Sequence, residues 1–317
     1  MDTSLTMIQI IQPLIAIFVI WRGSAVLVEN SLKIGKKLGM SELLIGLTFI
    51  AWGTSLPEFF VMLNSILFLG ESAATLSYGT VLGSNIANIS LVLGIGIIAS
   101  NGTFSSDRRN ILLRSLIVIG ATLCLVIFPG VNGAYKQTIS IIMVITMFLY
   151  IGISLRDKKH SHIDEPKTGI LGNLFWLVVA TVGIYFGSSL IVSSGQDIMS
   201  HFGWSATAIG TIFFALSTSS PEICATLISV MKFKKTDLAI GNVIGSNISN
   251  IFLFGIISAL YNLNLTSSMG TLGVFLILTE ILLLGIFILY GKKHQIQIPS
   301  FVGIFLVTIY YVFIRII

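Results

Sequence analysis

The chain has 317 residues, of which 55% are hydrophobic and only 10% are charged, whereas soluble domains carry about 25% charged residues. Its formal net charge of +5 comes from basic residues that lie between apolar runs. The composition therefore indicates a membrane protein that crosses the bilayer several times, and it argues against a nucleic-acid partner.

Ten apolar runs are each long enough to cross about 30 Å of hydrocarbon. They predict an all-α polytopic membrane protein with ten transmembrane helices in two five-helix halves. The first half covers residues 1–155, a cytoplasmic connecting loop covers 156–168, and the second half covers 169–317. We place the spans at 7–32, 41–68, 75–99, 110–129, 134–155, 169–199, 205–230, 237–261, 268–291 and 297–316.

Polar motifs interrupt the second and third spans, and both motifs return half a chain later. The second span contains Gly53-Thr-Ser-Leu-Pro-Glu58, and the seventh contains Ser217-Thr-Ser-Ser-Pro-Glu222. The third span contains Gly79-Thr-Val-Leu-Gly-Ser-Asn-Ile-Ala-Asn88, and the eighth contains Gly241-Asn-Val-Ile-Gly-Ser-Asn-Ile-Ser-Asn250. Two copies of one polar interruption predict a duplicated protein with a site where its halves meet.

The basic residues predict the orientation of the spans. One set of alternate connections holds 15 of the 18 lysines and arginines, and such loops face the cytoplasm. Both termini are therefore expected outside, in a protein of the plasma (cell) membrane. Because each half has five spans, the second half should be inverted relative to the first. In transporters built this way the substrate site lies near the membrane midplane.

Glu58 and Glu222 lie near the middle of their spans, where a carboxylate costs a few kcal/mol on insertion scales. Each should therefore face a wet cavity or a partner. A structural ion pair is the alternative, but Arg22 is the one mid-span basic residue, and it cannot serve two glutamates equally. We favour cation binding.

The residues around the glutamates supply neutral oxygens. Pro57 and Pro221 lack an N–H, so they free the carbonyls of Gly53 and Ser217 and should break the two helices there. Irregular backbone inside a membrane is tolerated where it lines protein or water. Hard oxygen shells of this kind suit Ca²⁺ and can also hold Na⁺. The hydroxyls beside the glutamates belong to Thr54, Ser55, Thr218 and Ser219.

The third and eighth spans add hydroxyls and amides. Ser84 and Asn88 are four residues apart and share one helical face, as do Ser246 and Asn250. Glycine pairs at the same spacing are typical of close helix packing. We expect both roles together, with the glycines bringing the helices close and the polar side chains facing the site.

The paired motifs resemble the two α-repeats of the sodium/calcium exchanger family, in the cation/calcium antiporter superfamily. The resemblance covers essentially all ten spans. It implies alternating access with exchange of Ca²⁺ for Na⁺, in which the first and sixth spans slide across the rest. The transported ions are its ligands, and no cofactor or enzymatic activity is implied.

The same resemblance implies roles for individual residues. Glu58 and Glu222 would be shared Ca²⁺ and Na⁺ ligands, and the carbonyls of Ala51 and Ala215 would be further Na⁺ ligands. Asn88 and Asn250 would complete the central position, with Thr54, Ser55, Thr218, Ser219, Ser84 and Ser246 around it.

Three positions depart from the family pattern. Ser217 stands in place of glycine and Ser220 in place of leucine, which affects the flexibility of the seventh span. Asn250 stands where prokaryotic members often have aspartate, which leaves two carboxylates in the centre. Glu280, in the ninth span, has no acidic counterpart in the first half; we favour a structural role for it over a proton-titrating one.

Other functions fit the sequence less well. A Ca²⁺/H⁺ antiporter of the same superfamily is the main alternative. A cation channel would usually form its ring of charges from several subunits, and an intramembrane enzyme would need a nucleophile–base pair or a zinc-type histidine cluster. The lipid bilayer and the two ions are the expected partners, and protein partners are not predicted.

Overall fold

A computed structural model describes residues 7–68, 73–102, 104–155, 169–202, 218–263, 270–292 and 295–316. Single π-helical turns at Gly46–Ile50, Asn88–Val92 and Ile228–Lys232 join or extend some of its helices. The α-helices are α1 (Met7–Lys37), α2 (Glu42–Ile45), α3 (Ala51–Phe68), α4 (Ala73–Ala87), α5 (Leu93–Ala99), α6 (Arg108–Ile127), α7 (Ala134–Leu155), α8 (Ile170–Phe202), α9 (Ser220–Leu227), α10 (Thr236–Tyr261), α11 (Gly270–Leu289) and α12 (Ser300–Ile316).

The protein is an integral, multi-pass membrane protein. In the described part of the chain, eight helical segments are long and apolar enough to cross a membrane, and a shorter apolar helix covers Ser300–Arg315. Large apolar side chains on these segments are exposed, including Phe18 at 66% and Leu171 at 83%, as expected for a surface that faces lipid. The first half of the predicted seventh span, at 205–217, and the connecting loop at 156–168 lie outside the described residues.

The two longest helices, α1 and α8, pack against each other through matched glycine contacts. A methyl group on Gly23 would lie 2.8 Å from Ile184 and 3.2 Å from the Ala180 carbonyl oxygen. A methyl group on Gly187 would lie 2.8 Å from Ile20 and 3.2 Å from the Ala16 carbonyl oxygen. Both glycines therefore let the helix backbones approach closely, and the contact is made alike from each side.

Helix α10 lies at the centre of the bundle, and most of its residues are buried. It approaches the second span so closely that side chains do not fit between them. A Cβ on Gly241 would lie 2.5 Å from the Leu43 carbonyl, and one on Gly245 would lie 2.7 Å from the Leu47 carbonyl. This contact brings the motif of α10 against the motif of α3.

A small antiparallel sheet lies at the ends of several helices. It consists of β1 (Phe104–Asp107), β2 (Gly291–Lys292) and β3 (Gln295–Ile298), in the order β1-β3-β2. The hydroxyl of Ser106 donates to Asp237 near the start of α10. The prediction of an all-α chain omitted this sheet, because short strands outside the spans carry a weak sequence pattern.

The prediction of a helix break at the first proline motif is wrong. Helix α3 runs without interruption from Ala51 to Phe68 and contains Pro57. The irregular backbone of this span lies one turn earlier, in the π-helical turn at Gly46–Ile50. Lone prolines inside a helix remove one hydrogen bond, and tertiary packing here holds the helix together around that loss.

Candidate functional site

Glu58 and Glu222 are both completely buried. Each accepts a hydrogen bond from a serine hydroxyl, which belongs to the third span for Glu58 and to the eighth span for Glu222. Ser84 Oγ donates to Glu58 Oε1 at 3.0 Å, and Ser246 Oγ donates to Glu222 Oε1 at 3.5 Å. Hydrogen bonds of this kind orient a carboxylate without neutralising its charge. Among the ion pairs of the described residues, none involves either glutamate.

The two glutamates are also bound by the opposite copy of the motif. The side chain of Thr218 lies close enough to Glu58 for its hydroxyl to interact with the carboxyl, and the side chain of Thr54 lies equally close to Glu222. Because each carboxyl is held from both halves of the chain, the two motifs form one cluster. The carboxyls are close enough for their charges to interact.

Hydroxyl groups bridge the remaining distance between the halves. Ser84 Oγ lies 3.4 Å from Ser219 Oγ, and Thr54 Oγ1 lies 3.4 Å from Ser246 Oγ. Thr54 Oγ1 also lies 3.3 Å from the carbonyl oxygen of Ala51, one turn earlier in the chain.

Four asparagines connect α10 with α4 and with the π-helical turn that follows α4, and two of them did not emerge from the sequence analysis. Asn85 Nδ2 donates to the Asn247 carbonyl at 3.2 Å, and Asn247 Nδ2 donates to the Asn85 carbonyl at 3.3 Å. Asn250 Nδ2 then donates to Asn85 Oδ1 at 3.0 Å, and Asn88 Nδ2 donates to Asn247 Oδ1 at 3.1 Å. All four side chains are buried.

The backbone carbonyls fix the orientation of all four amides. A carbonyl oxygen accepts and cannot donate, so Asn85 and Asn247 must turn their NH₂ groups toward it. Their side-chain oxygens then face Asn250 and Asn88, which in turn must present their NH₂ groups. The oxygens of Asn88 and Asn250 consequently point away from this network, and neither has a partner among the described residues.

A sequence signal for the two missed asparagines existed. Asn85 and Asn247 stand at matching places in the Gly-Ser-Asn-Ile segment of both motifs. The sequence analysis grouped residues that share one helical face. It therefore selected Ser84 and Asn88 in the first copy, and Ser246 and Asn250 in the second. Asn242 was missed as well, because its counterpart in the first copy is Thr80 and the repeat pattern fails there. Its Nδ2 donates to the Glu222 carbonyl at 3.3 Å.

Five buried side-chain oxygens on the motif-bearing segments have no hydrogen-bond partner among the described residues. All five are hard oxygen donors of the kind that suits Ca²⁺ or Na⁺. They comprise Ser55 Oγ, Glu58 Oε2, Asn88 Oδ1, Glu222 Oε2 and Asn250 Oδ1.

The predicted site residues within the described part of the chain lie on the segments that meet in this cluster. Glu58, Thr54 and Ser55 lie on α3, and Glu222 lies on α9, with Thr218 and Ser219 just before it. Ala215 and Ser217 lie outside the described residues.

The first span also reaches the cluster. The hydroxyl of Ser24, on α1, lies 3.4 Å from the carbonyl oxygen of Pro221. Its counterpart in the second half by sequence, Ser188, is 2% exposed, and its hydroxyl has no partner among the described residues. Among the described residues, α1 therefore has a side-chain hydrogen bond to a glutamate-bearing helix, and the matching serine of α8 has none.

Comparison with known proteins identifies close similarities along the whole chain. The profile of the family described as "Sodium/calcium exchanger protein" matches residues 8–156 and 172–317. The sodium/calcium exchanger MaX1 of Methanosarcina acetivorans is 29% identical, over 92% of this chain and 95% of that protein. The putative antiporter CaxA of Alkalimonas amylolytica is 31% identical, over 74% of this chain and 75% of that protein.

Solved structures show the same similarity. The sodium-calcium exchanger NCX_Mj, soaked with Na⁺ and Ca²⁺, superposes with a TM-score of 0.78 at 25% sequence identity. The match covers 98% of this chain and 99% of the other.

Proposed function

Because the chain belongs to the sodium/calcium exchanger protein family, we propose that it exchanges Ca²⁺ for Na⁺ across the membrane by alternating access. The family consists of transporters and not of enzymes. The observation that carries the proposal is the pair of buried carboxyls, each held by hydroxyls from both halves and each left with one unpaired oxygen.

The charge of the cluster fits Ca²⁺. With both glutamates ionised its charge is −2, which one Ca²⁺ neutralises. Two or three Na⁺ would bring it to zero or +1, and two protons would also bring it to zero, so charge alone does not select the coupling ion. The neutral oxygens favour Na⁺ as the coupling ion, because a proton needs only a carboxylate whereas each Na⁺ needs a shell of several oxygens.

Glu58 and Glu222 are proposed as ligands shared by the two ions, and the unpaired oxygens of Asn88 and Asn250 as ligands of the central position. Thr54, Thr218, Ser84 and Ser246 orient the carboxyls and offer further oxygens. The Ala51 and Ala215 carbonyls, with Ser55 and Ser219, are proposed as the surrounding Na⁺ ligands.

Movement of the first and sixth spans would expose this cluster to one side at a time. Helices α1 and α8 pack on each other through the close contacts at Gly23 and Gly187. A pair joined this tightly can move as one body against the rest of the bundle. The family profile matches each half of the chain separately, which supports a duplicated chain. We propose that its halves are two five-helix repeats of inverted topology, ten spans in all, with both termini outside a plasma membrane.

Uptake of radioactive Ca²⁺ into proteoliposomes tests the coupling ion. The purified protein is reconstituted, and Na⁺ and H⁺ gradients are imposed separately. We expect uptake to follow an outward Na⁺ gradient and to ignore a pH gradient at constant Na⁺. Uptake that follows the pH gradient alone would establish the Ca²⁺/H⁺ antiporter instead, and flux without any gradient coupling would indicate a channel.

Cysteine labelling in intact cells tests the inverted topology. Single cysteines are placed at Lys36, Arg109 and Lys235 in a background that lacks Cys124 and Cys224. Basic connections face the cytoplasm, so these positions should resist an impermeant thiol reagent. Cysteines at Gly133 and Asn262 should react; equal labelling of both sets would exclude the arrangement.

A further inference from the structure

Glu280 is a buried carboxyl that the ion cluster does not use. It lies on α11 and is 4% exposed. Its Oε1 accepts a hydrogen bond from Thr122 Oγ1 at 2.8 Å, whereas its Oε2 has no partner among the described residues. A carboxylate with a bare, buried oxygen inside a membrane span is costly, so this group requires a cation or a proton.

A small cavity lies beside Glu280 and separates it from the asparagine network. Its volume is about 20 Å³, enough for one water molecule, which needs roughly 10–15 Å³ and two to four polar partners. Glu280, Ser115 and Asn247 are its polar lining residues, and the rest of the lining is aliphatic. The hydroxyl of Ser115 is also buried and without a described partner.

The lining favours a proton over a metal ion. Na⁺ and Ca²⁺ need shells of several oxygens, and three polar side chains in an aliphatic cavity do not provide one. A protonated carboxyl has one acceptor and one donor. Here Oε1 accepts from Thr122, and a hydrogen on Oε2 would point toward a water that Ser115 and Asn247 can also bind.

The helices that pack against α11 carry other titratable groups. On α6, Arg114 donates to Ser154 at 3.2 Å, and Cys124 is the other titratable side chain near Thr122. On α4, the Tyr78 hydroxyl donates to the Leu125 carbonyl at 3.2 Å. Glu280 is the one charged or titratable residue among those that line the cavity.

In place of the structural role that the sequence favours for Glu280, we propose that Glu280, Ser115 and Asn247 form a proton-binding site that holds one water and lies beside the ion cluster. The site is outside the proposed ion ligands, but Asn247 belongs to both neighbourhoods, since its Oδ1 accepts from Asn88. Proton occupancy of Glu280 is thereby linked to the amide network that positions Asn88.

Infrared difference spectroscopy on the purified, reconstituted protein tests the proton directly and needs no transport. Spectra recorded while the pH is raised should show the loss of a protonated carboxyl band that is absent in Glu280→Gln. Glu29→Gln, which alters a half-exposed carboxyl paired with Lys33, should keep the band. An identical band in wild type and Glu280→Gln overturns the proposal.

A second variant covers the case in which Glu280→Gln does not fold. Thr122→Val keeps the carboxyl but removes the hydrogen bond to Oε1, so it should shift the frequency of the same band. An unshifted band in Thr122→Val overturns the assignment equally.

The link to the ion cluster has its own measurement, which depends on the proposed exchange function. A negative charge beside the cluster favours bound cations, so above the titration of Glu280 the wild type should bind Ca²⁺ several-fold more tightly than Glu280→Gln. At lower pH the two affinities should converge. Parallel pH profiles would refute the link, whereas loss of Ca²⁺ binding in both proteins would count against the proposed function and leave the infrared result standing.

Discussion

The two copies of the Thr-Ser-x-Pro-Glu motif share their chemistry but differ in backbone. In the first copy Pro57 lies within an unbroken helix, α3. In the second, helix α9 begins at Ser220, and Pro221 occupies its first turn, where a proline removes no helical hydrogen bond. Ser219 lies outside regular helix, at φ −85° and ψ 2°. Similar residues therefore give a helix interior in one span and a helix start in the other.

The two copies of the motif also differ in their hydrogen bonds. Ser84 lies 3.0 Å from Glu58, whereas Ser246 lies 3.5 Å from Glu222. Ser24 contacts the second copy, at Pro221, and Ser188 has no described partner. The comparison teaches that a duplicated sequence need not give a symmetric site. Under the proposed mechanism, the two copies would exchange these environments as access alternates.

Neutralising the glutamates should have the largest effect and should be alike for both copies. Glu58→Gln and Glu222→Gln each remove a charged ligand, so Ca²⁺ uptake should fall by roughly 100-fold or more, beyond the 10- to 100-fold typical of outer-shell changes. Proteoliposome uptake measures it, with Glu29→Gln as the control. Wild-type Ca²⁺ uptake in both variants would contradict the assignment of the two glutamates to the ion site. Loss of uptake in one variant alone would show that one of the two glutamates is sufficient for transport.

Removing a missed asparagine should have the next largest effect. Asn85→Leu and Asn247→Leu keep the volume but release the amides of Asn250 and Asn88, whose oxygens would no longer be held toward the site. Ion affinity should fall by about tenfold in each, at the lower end for outer-shell changes.

Calorimetric titration with Ca²⁺ measures that affinity. Asn173→Leu is the control, because Asn173 is also buried in a spanning helix and its Nδ2 has no described partner. Unchanged affinity in both asparagine variants would show that the amide network is purely structural.

Removing the serine hydroxyls should sharpen the difference between the copies. Hydrogen bonds to charged groups contribute about 1.5–3 kcal/mol, and Ser84 has the shorter bond as well as contacts with Ser219 and Asn250. Ser84→Ala should therefore weaken Ca²⁺ binding by about tenfold, and Ser246→Ala by clearly less. Equal or reversed losses would contradict the asymmetry.

Removing the hydrogen bond between Ser24 of the first span and the Pro221 carbonyl should have the smallest effect on exchange. Ser24→Ala removes a long hydrogen bond to a carbonyl, of about 1 kcal/mol at most, so the exchange rate should change by a few-fold. Ser188→Ala removes a hydroxyl without a described partner and should change the rate less. Initial rates of Na⁺-driven uptake compare them, and a larger effect at Ser188 would reverse the inferred difference between the long helices.

The sequence alone determined the membrane class, the boundaries of most spans and the residues that carry charge at the centre. Apolar runs are local, and two polar motifs within them are visible without any structure. Glu58 and Glu222 were identified in this way because a buried carboxylate in a span is costly and conspicuous. The resemblance carried by the same motifs also gave the family.

Only the tertiary structure decided which groups meet. Asn85 and Asn247 face each other across 162 positions, and the Glu280 cavity is lined from helices far apart in the chain. Such contacts depend on how helices cross, which periodicity within one helix does not specify. The same holds for Pro57, which the sequence predicts to break the helix and which the folded protein carries inside α3. The sequence pattern along one span determines how deep in the membrane a residue lies, and the packing between helices determines which residues it contacts.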